Sequence, residues 1–151
     1  MAPAGAAVHN QAKTSSGAVS FMDTFSQVTQ QIGQHGRRGA LMISIDCHHP
    51  DLLGFISIKT DLSKVNFANI SVRITDDFMQ AVIDDQPWTL SFTRAETGEV
   101  IEKVVSAKDV YHLLCKSNWD YAEPGILFWD KIEGYHLQSE NKEFRYVGTN
   151  P

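Results

Sequence analysis

The stretch "ALMISIDCHHPDLLGFISIK", residues 40–59, carries the pattern that decides the fold. Its first six residues are mostly apolar, which is typical of a strand that is buried on both faces. Pro50 and Asp51 then favour the start of a helix, which we expect to run to about Lys59. A strand followed by a helix is the repeating unit of an α/β protein with parallel strands.

The sequence on either side continues this alternation. Before it, Phe21, Phe25, Val28 and Ile32 recur at helical spacing and predict a helix that ends at Gly33. After it, "NISVRI" (69–74) alternates as a strand does, and Thr75 is a predicted helix cap. The chain is therefore predicted to belong to the α/β class with largely parallel pairing.

The second half adds a predicted hairpin at 87–106, with its turn at 96–98. Ser106 and Asp109 favour the cap of a further helix. Two more strands are predicted, from "GILFWDKI" (125–132) and from "RYVGT" (145–149). Several strands are apolar on both faces, whereas only about four helices are predicted to cover them. This shortage indicates a segment of a larger α/β assembly.

Composition excludes several classes of function. The chain has 151 residues, a length suited to one domain, and a net charge of −5. It has no stripe of clustered Lys and Arg, so we expect no nucleic-acid partner, and no apolar run long enough to span a membrane. Residues 1–13 lack the pattern of a secretory signal. Only Cys47 and Cys115 are present, and we expect both to be buried, which favours the cytoplasm.

Two loops are candidates for anion binding. "GQHGRRGA" (33–40) combines glycines with Arg37 and Arg38, whose guanidinium groups suit phosphate, although the spacing alone favours a solvated basic loop. "AKTSSGAVSF" (12–21) places three hydroxyls and a glycine before a helix start. Its N–H groups could hold an anion, or the hydroxyls could simply cap the helix.

"DCHHPD" (46–51) is a candidate metal site, but adjacent histidines on a strand point to opposite faces. We expect no metal there, and we expect this polar run to cap the helix that follows it. Cys115 falls beside Leu114 on its predicted helix, which favours a small core residue over a reactive thiol.

Five segments, read in order, resemble the catalytic subunit of ribonucleotide reductases, most closely the adenosylcobalamin-dependent class. They are "TSSGAVSFM" (14–22), "GQHGRRGALMISIDCHHPDLLGFI" (33–56), "NISVRITDDFMQAV" (69–82), "AEPGILFWDKI" (122–132) and "YVGTNP" (146–151). The resemblance implies that residues 1–151 are an internal segment of a ten-stranded α/β barrel with one β-hairpin insertion. Within it, 1–17 match an effector loop, 33–40 a substrate-specificity loop, and 146–151 the start of a finger loop.

The resemblance also implies roles for single residues. The specificity loop comprises Gln34, His35, Gly36, Arg37, Arg38, Gly39 and Ala40. The effector loop and its phosphate contacts comprise Lys13, Thr14, Ser15, Ser16 and Gly17. Substrate contacts are implied for Arg37, Arg38, Asn150 and Pro151, and Asn150 is the implied catalytic residue, which orients the ribose at its 2′ and 3′ side.

The implied reaction reduces ribonucleoside di- or triphosphates to deoxyribonucleotides for DNA synthesis and replication. It uses a thiyl radical, adenosylcobalamin as the cobalt cofactor, and a thioredoxin-like dithiol as reductant. Deoxynucleotides or ATP are the implied allosteric effectors, and a homodimer is the implied assembly. Because the radical cysteine, the general base and the reducing cysteine pair are not found at matching positions, we expect this chain to be inactive alone.

The family's finger loop continues from Asn-Pro into the radical cysteine, so we expect an intein or split-gene junction, or an ordinary fragment boundary, after Pro151. Two alternatives stay open at this point. One is the large subunit of the two-subunit class that uses a separate metal-radical protein. The other is a module that binds deoxynucleotides without catalysis.

Overall fold

The structure, a computed structural model, describes residues 1–8, 13–33, 39–136, 141, 143 and 148–149. The helices are α1 (Ala18–Ile32), α2 (Leu52–Ser57), α3 (Asp76–Ile83), α4 (Ala107–Tyr121) and α5 (Trp129–Tyr135), and a 3₁₀ turn (Ile58–Thr60) extends α2. The strands are β1 (Met42–Asp46), β2 (Asn69–Ile74), β3 (Pro87–Thr93), β4 (Val100–Ser106) and β5 (Gly125–Phe128).

Three strands form a parallel sheet in the order β1-β2-β5. Ile45 of β1 lies opposite Val72 of β2, which in turn lies opposite Ile126 of β5. Strands β3 and β4 form a separate antiparallel hairpin between β2 and β5 in the chain. The α/β class, the parallel pairing and the hairpin insertion are therefore confirmed, and the closed ten-stranded barrel stays a prediction.

The core lies between one face of this sheet and helices α2, α3 and α4. Ile70, Val72 and Ile74 of the central strand are each only 1% exposed and pack in one cluster with Phe55 and Phe78. The residues that alternate with them point to the second face, and these are the polar Ser71 and Arg73 of β2 and Ser44 of β1. The second face is therefore more polar than the apolar runs had indicated.

Both predicted side-chain caps are confirmed. The Thr75 hydroxyl accepts a hydrogen bond from the Phe78 N–H at 3.1 Å, and the Ser106 hydroxyl accepts one from the Asp109 N–H at 3.2 Å. The hairpin is attached to the end of β1 by two bonds. The Trp88 indole N–H donates to the Cys47 carbonyl at 2.9 Å, and the Ser91 N–H donates to the His48 carbonyl at 2.6 Å.

The strand predicted over 125–132 is wrong in its second half. Strand β5 ends at Phe128, and Trp129 begins helix α5. Tertiary contacts stabilise this helix, because the Asp130 carboxylate accepts a hydrogen bond from the Asp76 N–H at the start of α3. The Lys131 ammonium lies 2.8 Å from the Asp76 carboxylate. Of the strand predicted at 145–149, only Gly148 and Thr149 are among the described residues.

Helix α1 forms as predicted, but the four apolar residues whose spacing predicted it face outward. Phe25 is 47% exposed and Ile32 is 72% exposed, whereas Ser26 is buried. Met22 on its buried face joins the core, whereas two polar residues of α1 bond to the loop at 61–67. The Ser26 hydroxyl accepts a hydrogen bond from the Phe67 N–H at 2.9 Å, and Asp23 accepts one from the Val65 N–H at 3.3 Å.

The longest helices of the described residues, α1 and α4, have 15 residues each. In the part of the chain that the structure describes, no helix is both long and apolar enough to cross a bilayer.

Candidate functional site

Residues 1–8 and 13–17 of the predicted effector loop form a short antiparallel hairpin. The Gly5 N–H donates to the Ser15 carbonyl at 2.9 Å, and the Ser15 N–H donates to the Ala6 carbonyl at 2.7 Å. A further bond joins the Val8 N–H to the Lys13 carbonyl at 2.8 Å. We call this element the N-terminal hairpin; its second arm continues directly into α1.

The start of α1 is capped by a carboxylate from elsewhere in the chain. Oδ2 of Asp51, in the turn between β1 and α2, accepts a hydrogen bond from the Ala18 N–H at 2.8 Å. Oδ1 of the same residue accepts one from the Ala4 N–H at 3.0 Å. The N-cap residue of α1, Gly17, contributes no side-chain cap. Asp51 therefore occupies the position at which an anion or a hydroxyl cap had been expected.

The hydroxyls of the N-terminal hairpin bond locally instead. Ser15 Oγ accepts a hydrogen bond from the Gly17 N–H at 3.1 Å, and Ser16 Oγ lies 2.7 Å from Ser20 Oγ. The prediction that Lys13, Thr14, Ser15, Ser16 and Gly17 contact an effector phosphate stays a prediction.

His49 also attaches the N-terminal hairpin to the turn. Its Nδ1 accepts a hydrogen bond from the Asp51 N–H at 3.1 Å, which requires the Nε2–H tautomer, and Nε2 donates to the Met1 carbonyl at 2.9 Å. The expectation that the 46–51 run caps the following helix is wrong, because no side chain of the described residues caps α2 at its N-cap residue, Asp51. The carboxylate that sequence reasoning assigned to α2 reaches α1 instead.

Asp46, Cys47 and His48 come together at the end of β1, where their ligand atoms lie within 4.8 Å of one another. His48 Nδ1 is 2.9 Å from Asp46 Oδ1, and the Arg73 guanidinium is 3.7 Å from Asp46 Oδ2. Burial, with the neighbouring Asp46 charge, raises the pKa of the Cys47 thiol to about 11. A protonated thiol and a carboxylate that already faces a guanidinium make a poor cation site, so the absence of a metal stays our prediction.

Cys115 is exposed, so its prediction as a core residue is wrong. Helix α4 turns Val110, Leu114 and Ser117 inward, which places Cys115 on the outer side together with Trp119, itself 89% exposed. The Cys115 thiol lies close enough to the Tyr111 hydroxyl to raise the pKa of that phenol. Cys47 is buried, as predicted.

Two members of the predicted specificity loop, Gly39 and Ala40, are described, and they lie beside the second half of α1. A Cβ atom on Gly39 would be 2.7 Å from Thr29 Cγ2 and 3.0 Å from the Thr29 carbonyl oxygen. A cleft of about 320 Å³ lies between 39–41 and 66–69. Gln34, His35, Gly36, Arg37, Arg38, Asn150 and Pro151 lie outside the described residues, and their implied roles stay predictions.

Two further clefts border these elements. One, of about 440 Å³, runs between α1 and the loop at 63–67 and is lined mainly by polar side chains, among them Gln27, Gln30 and Asn66. The other, of about 610 Å³, separates the N-terminal hairpin from residues 92–96 at the tip of β3. The described part of the candidate site thus comprises two clefts beside α1 and one beside the N-terminal hairpin.

The chain is similar to a known protein family and to individual proteins of that family. Residues 2–151 match the family described as "Ribonucleotide reductase, barrel domain". The chain is 39% identical over 120 residues to a vitamin B12-dependent ribonucleoside-diphosphate reductase of Thermoplasma acidophilum, covering 78% of this chain and 15% of that protein. It is 35% identical over 161 residues to a vitamin B12-dependent ribonucleotide reductase of Streptomyces coelicolor, covering 90% of this chain and 16% of that protein.

A third relative, the vitamin B12-dependent ribonucleoside-diphosphate reductase of Mycobacterium tuberculosis strain H37Rv, is 31% identical over 132 residues. The match covers 86% of this chain and 18% of that protein. The chain therefore spans less than a fifth of the length of these relatives.

Proposed function

This chain belongs to the barrel-domain family of ribonucleotide reductases, and from that premise we propose that it is part of the catalytic subunit of a vitamin B12-dependent ribonucleotide reductase. The observation that carries the proposal is the family match over residues 2–151, together with relatives that are named B12-dependent reductases. The complete enzyme would replace the ribose 2′-hydroxyl of a ribonucleotide with hydrogen and so supply deoxyribonucleotides for DNA synthesis.

Within that enzyme, we assign the regulatory parts to the surfaces around α1. The N-terminal hairpin at one end of the helix is the proposed effector element, and residues 33–40 at its other end form the proposed specificity loop. The 15 residues of α1 connect them directly. The proposed ligands are a deoxynucleotide or ATP effector and a ribonucleotide substrate, with Asn150 orienting the ribose.

The 151-residue chain alone is proposed to be inactive. The reaction needs a thiol that becomes a radical and a dithiol that delivers two electrons and two protons, while water leaves from the 2′ carbon. This chain has two cysteines. Cys47 is buried with a pKa of about 11, and Cys115 is exposed on the outer side of a different element. These two thiols do not form a pair suited to disulfide exchange with a thioredoxin-like reductant.

The described residues do not fit cobalamin by themselves. The three clefts described above have volumes between about 320 and 610 Å³, within the range that holds ordinary drug-sized ligands. A corrinoid with its nucleotide loop is larger than such ligands. We therefore propose that cobalamin is bound mainly outside this segment.

A homodimer is the proposed assembly, and the outer face of α1 supports it. We call this face the α1 stripe; it consists of Phe21, Phe25, Val28 and Ile32, which are between 43% and 72% exposed. Apolar side chains at helical spacing on an exposed helix are typical of a helix that packs against a partner. The same helix in a second copy offers the same stripe, as a two-fold interface requires.

The test is a reduction assay on the full-length protein that contains this chain, with each of the four common ribonucleotides as di- and triphosphate. Adenosylcobalamin and a dithiol are added, and deoxyribonucleotide formation is measured. We expect product only when cobalamin is present. Activity that instead requires a second metal-containing subunit would contradict the B12-dependent assignment and favour the two-subunit class. Micromolar deoxynucleotide binding without any reduction would favour a non-catalytic sensor.

A further inference from the structure

Asp51 joins the turn after β1 to two adjoining elements that lie 33 and 47 residues away in the chain. Its carboxylate accepts hydrogen bonds from the Ala4 N–H of the N-terminal hairpin and from the Ala18 N–H at the start of α1. Asp51 itself belongs to the turn between β1 and α2, whose strand is part of the parallel sheet. One side chain therefore contacts both the hairpin and the helix start, and attaches them to the end of the sheet.

The fit around this carboxylate is close. Gly17 has φ of 87°, and a Cβ atom at that position would lie 2.8 Å from the Ala4 nitrogen and 2.8 Å from Asp51 Oδ2. The negative charge lies at the helix N-terminus, where the macrodipole favours an anion. A small displacement of the N-terminal hairpin would therefore alter the Asp51 contact with α1, since no space separates the three groups.

The other end of α1 is equally constrained. Gly39 packs directly against the backbone and methyl group of Thr29, which is 8% exposed. Between the two ends, Ser26 and Asp23 bond to the loop at 61–67. A helix of 15 residues is about 22 Å long and moves largely as a unit. These contacts form a continuous path from Ala18 through α1 to Gly39.

We propose that Asp51 is a positioning residue for substrate selection, which transmits the state of the N-terminal hairpin through α1 to residues 39–40. This inference rests on the proposed function, because it assumes that the hairpin responds to an effector and that the loop selects the substrate. Asp51 contacts neither ligand in this scheme. It sets the position of the helix that connects their sites.

The first variant is Asp51→Asn in the full-length reductase, which removes the charge and one of the two acceptor oxygens while keeping the shape. The second is Ala18→Pro, which replaces the N–H that donates to Asp51 Oδ2 with a ring methylene and so breaks this contact. Proline is tolerated at the first position of a helix, so α1 itself should persist. Asp130→Asn is the matched control, because Asp130 accepts a long-range hydrogen bond at the start of α3 in the same way, from the Asp76 N–H.

The readout is the ratio of two reduced substrates, measured with and without each deoxynucleotide effector, together with effector affinity by calorimetry and unfolding temperature. We expect Asp51→Asn and Ala18→Pro to reduce the effector-induced change in this ratio by about fivefold or more, the lower end of typical allosteric couplings. Turnover without effector should stay within about twofold of the wild type. Asp130→Asn should lower only the unfolding temperature.

Each outcome decides the question. A wild-type ratio that does not respond to any effector overturns the proposed function and this inference with it. A responsive wild type with an unchanged response in both Asp51→Asn and Ala18→Pro overturns the inference alone. A loss of response in Asp130→Asn equal to that in Asp51→Asn also overturns it, because general destabilisation would then account for the effect. If Asp51→Asn does not fold, Ala18→Pro decides by the same ratio.

Discussion

The ammonium group of Lys59 lies 2.6 Å from Oε2 of Glu123, and these side chains are only 14% and 21% exposed. Lys59 also donates hydrogen bonds to the carbonyls of Val65 and Ala68 at 2.6 and 2.9 Å. The second carboxylate oxygen of Glu123 accepts a bond from the Ile70 N–H at 3.2 Å. This ion pair therefore connects the 3₁₀ turn after α2, the start of β2 and the residues that precede β5.

Replacing Lys59 with Met should lower the free energy of unfolding by about 2–4 kcal/mol. The change leaves a largely buried carboxylate and two carbonyls without their cation, and breaking a buried pair on one side is strongly destabilising. Lys64→Met is the matched control, since Lys64 pairs with Asp61 at 3.4 Å with both side chains about half exposed. Exposed pairs of that kind contribute under about 1 kcal/mol. Urea denaturation followed by circular dichroism measures both, and equal losses would contradict the prediction.

Gly17→Ala should destabilise the chain more than Gly98→Ala. Both glycines have positive φ, 87° and 68°, so each alanine should cost roughly 1–2 kcal/mol in backbone strain. A Cβ at Gly98 meets nothing within 4 Å, whereas at Gly17 it meets Ala4 and Asp51 at 2.8 Å. We expect this overlap to lower the stability of Gly17→Ala by roughly a further 1–3 kcal/mol. Thermal unfolding of the two variants checks the difference, and identical losses would show that the contact is not made.

Stability should fall in alkaline solution because of Cys47. Its folded pKa is about 11, raised from 9.0, so between these values the unfolded chain has lost the thiol proton that the folded chain keeps. Stability from this residue is therefore complete below pH 9.0 and is lost as pH rises toward about 11, by roughly 2–3 kcal/mol in all.

Denaturation curves at a series of pH values test this dependence. Cys47→Ala should show a shallower decline across the alkaline range than the wild type. A Cys47→Ala slope that matches the wild type would rule out the Cys47 contribution.

Phe25→Glu should convert the proposed homodimer of the full-length protein into monomers. It places a charge at the centre of the α1 stripe, where Phe25 is 47% exposed, and an unpaired charge is costly in an apolar interface. Thr24→Glu changes the exposed neighbour on the same helix turn and should leave the mass unchanged. Sedimentation velocity distinguishes the two. A dimer that persists in Phe25→Glu would place the interface elsewhere.

Local features of this fold were predictable from the sequence, whereas long-range ones were not. The caps at Thr75 and Ser106 depend on residues three positions away, and both were predicted correctly. Asp51 is followed by an apolar helix, so the sequence assigned its carboxylate to that helix. Its actual partners are 33 and 47 residues distant, and no local pattern records them.

The direction in which a helix faces was the other feature that the sequence did not predict. Apolar spacing predicted α1 correctly but not which way it faces, because an interface stripe and a core stripe have the same period. Cys115 was assigned to the core for a related reason. Its apolar neighbour Leu114 lies about 100° away around the helix, so the burial of Leu114 does not imply that Cys115 is buried. In the candidate site, Asp51 and His49 were missed as contacts of the N-terminal hairpin. The specificity-loop residues before Gly39 rest on the resemblance alone.

The insertion of the β3–β4 hairpin has a consequence for the order of folding. Ser71 of β2 pairs with Gly125 of β5, and the whole hairpin and α4 lie between them in the chain. The hairpin has to close only a turn of a few residues, and α4 forms through hydrogen bonds between residues that are close in the chain. Both can therefore form within microseconds. The β2–β5 pairing must first close a loop of more than fifty residues, with its entropy cost. We therefore expect the central sheet to be completed last, around local units that are already formed.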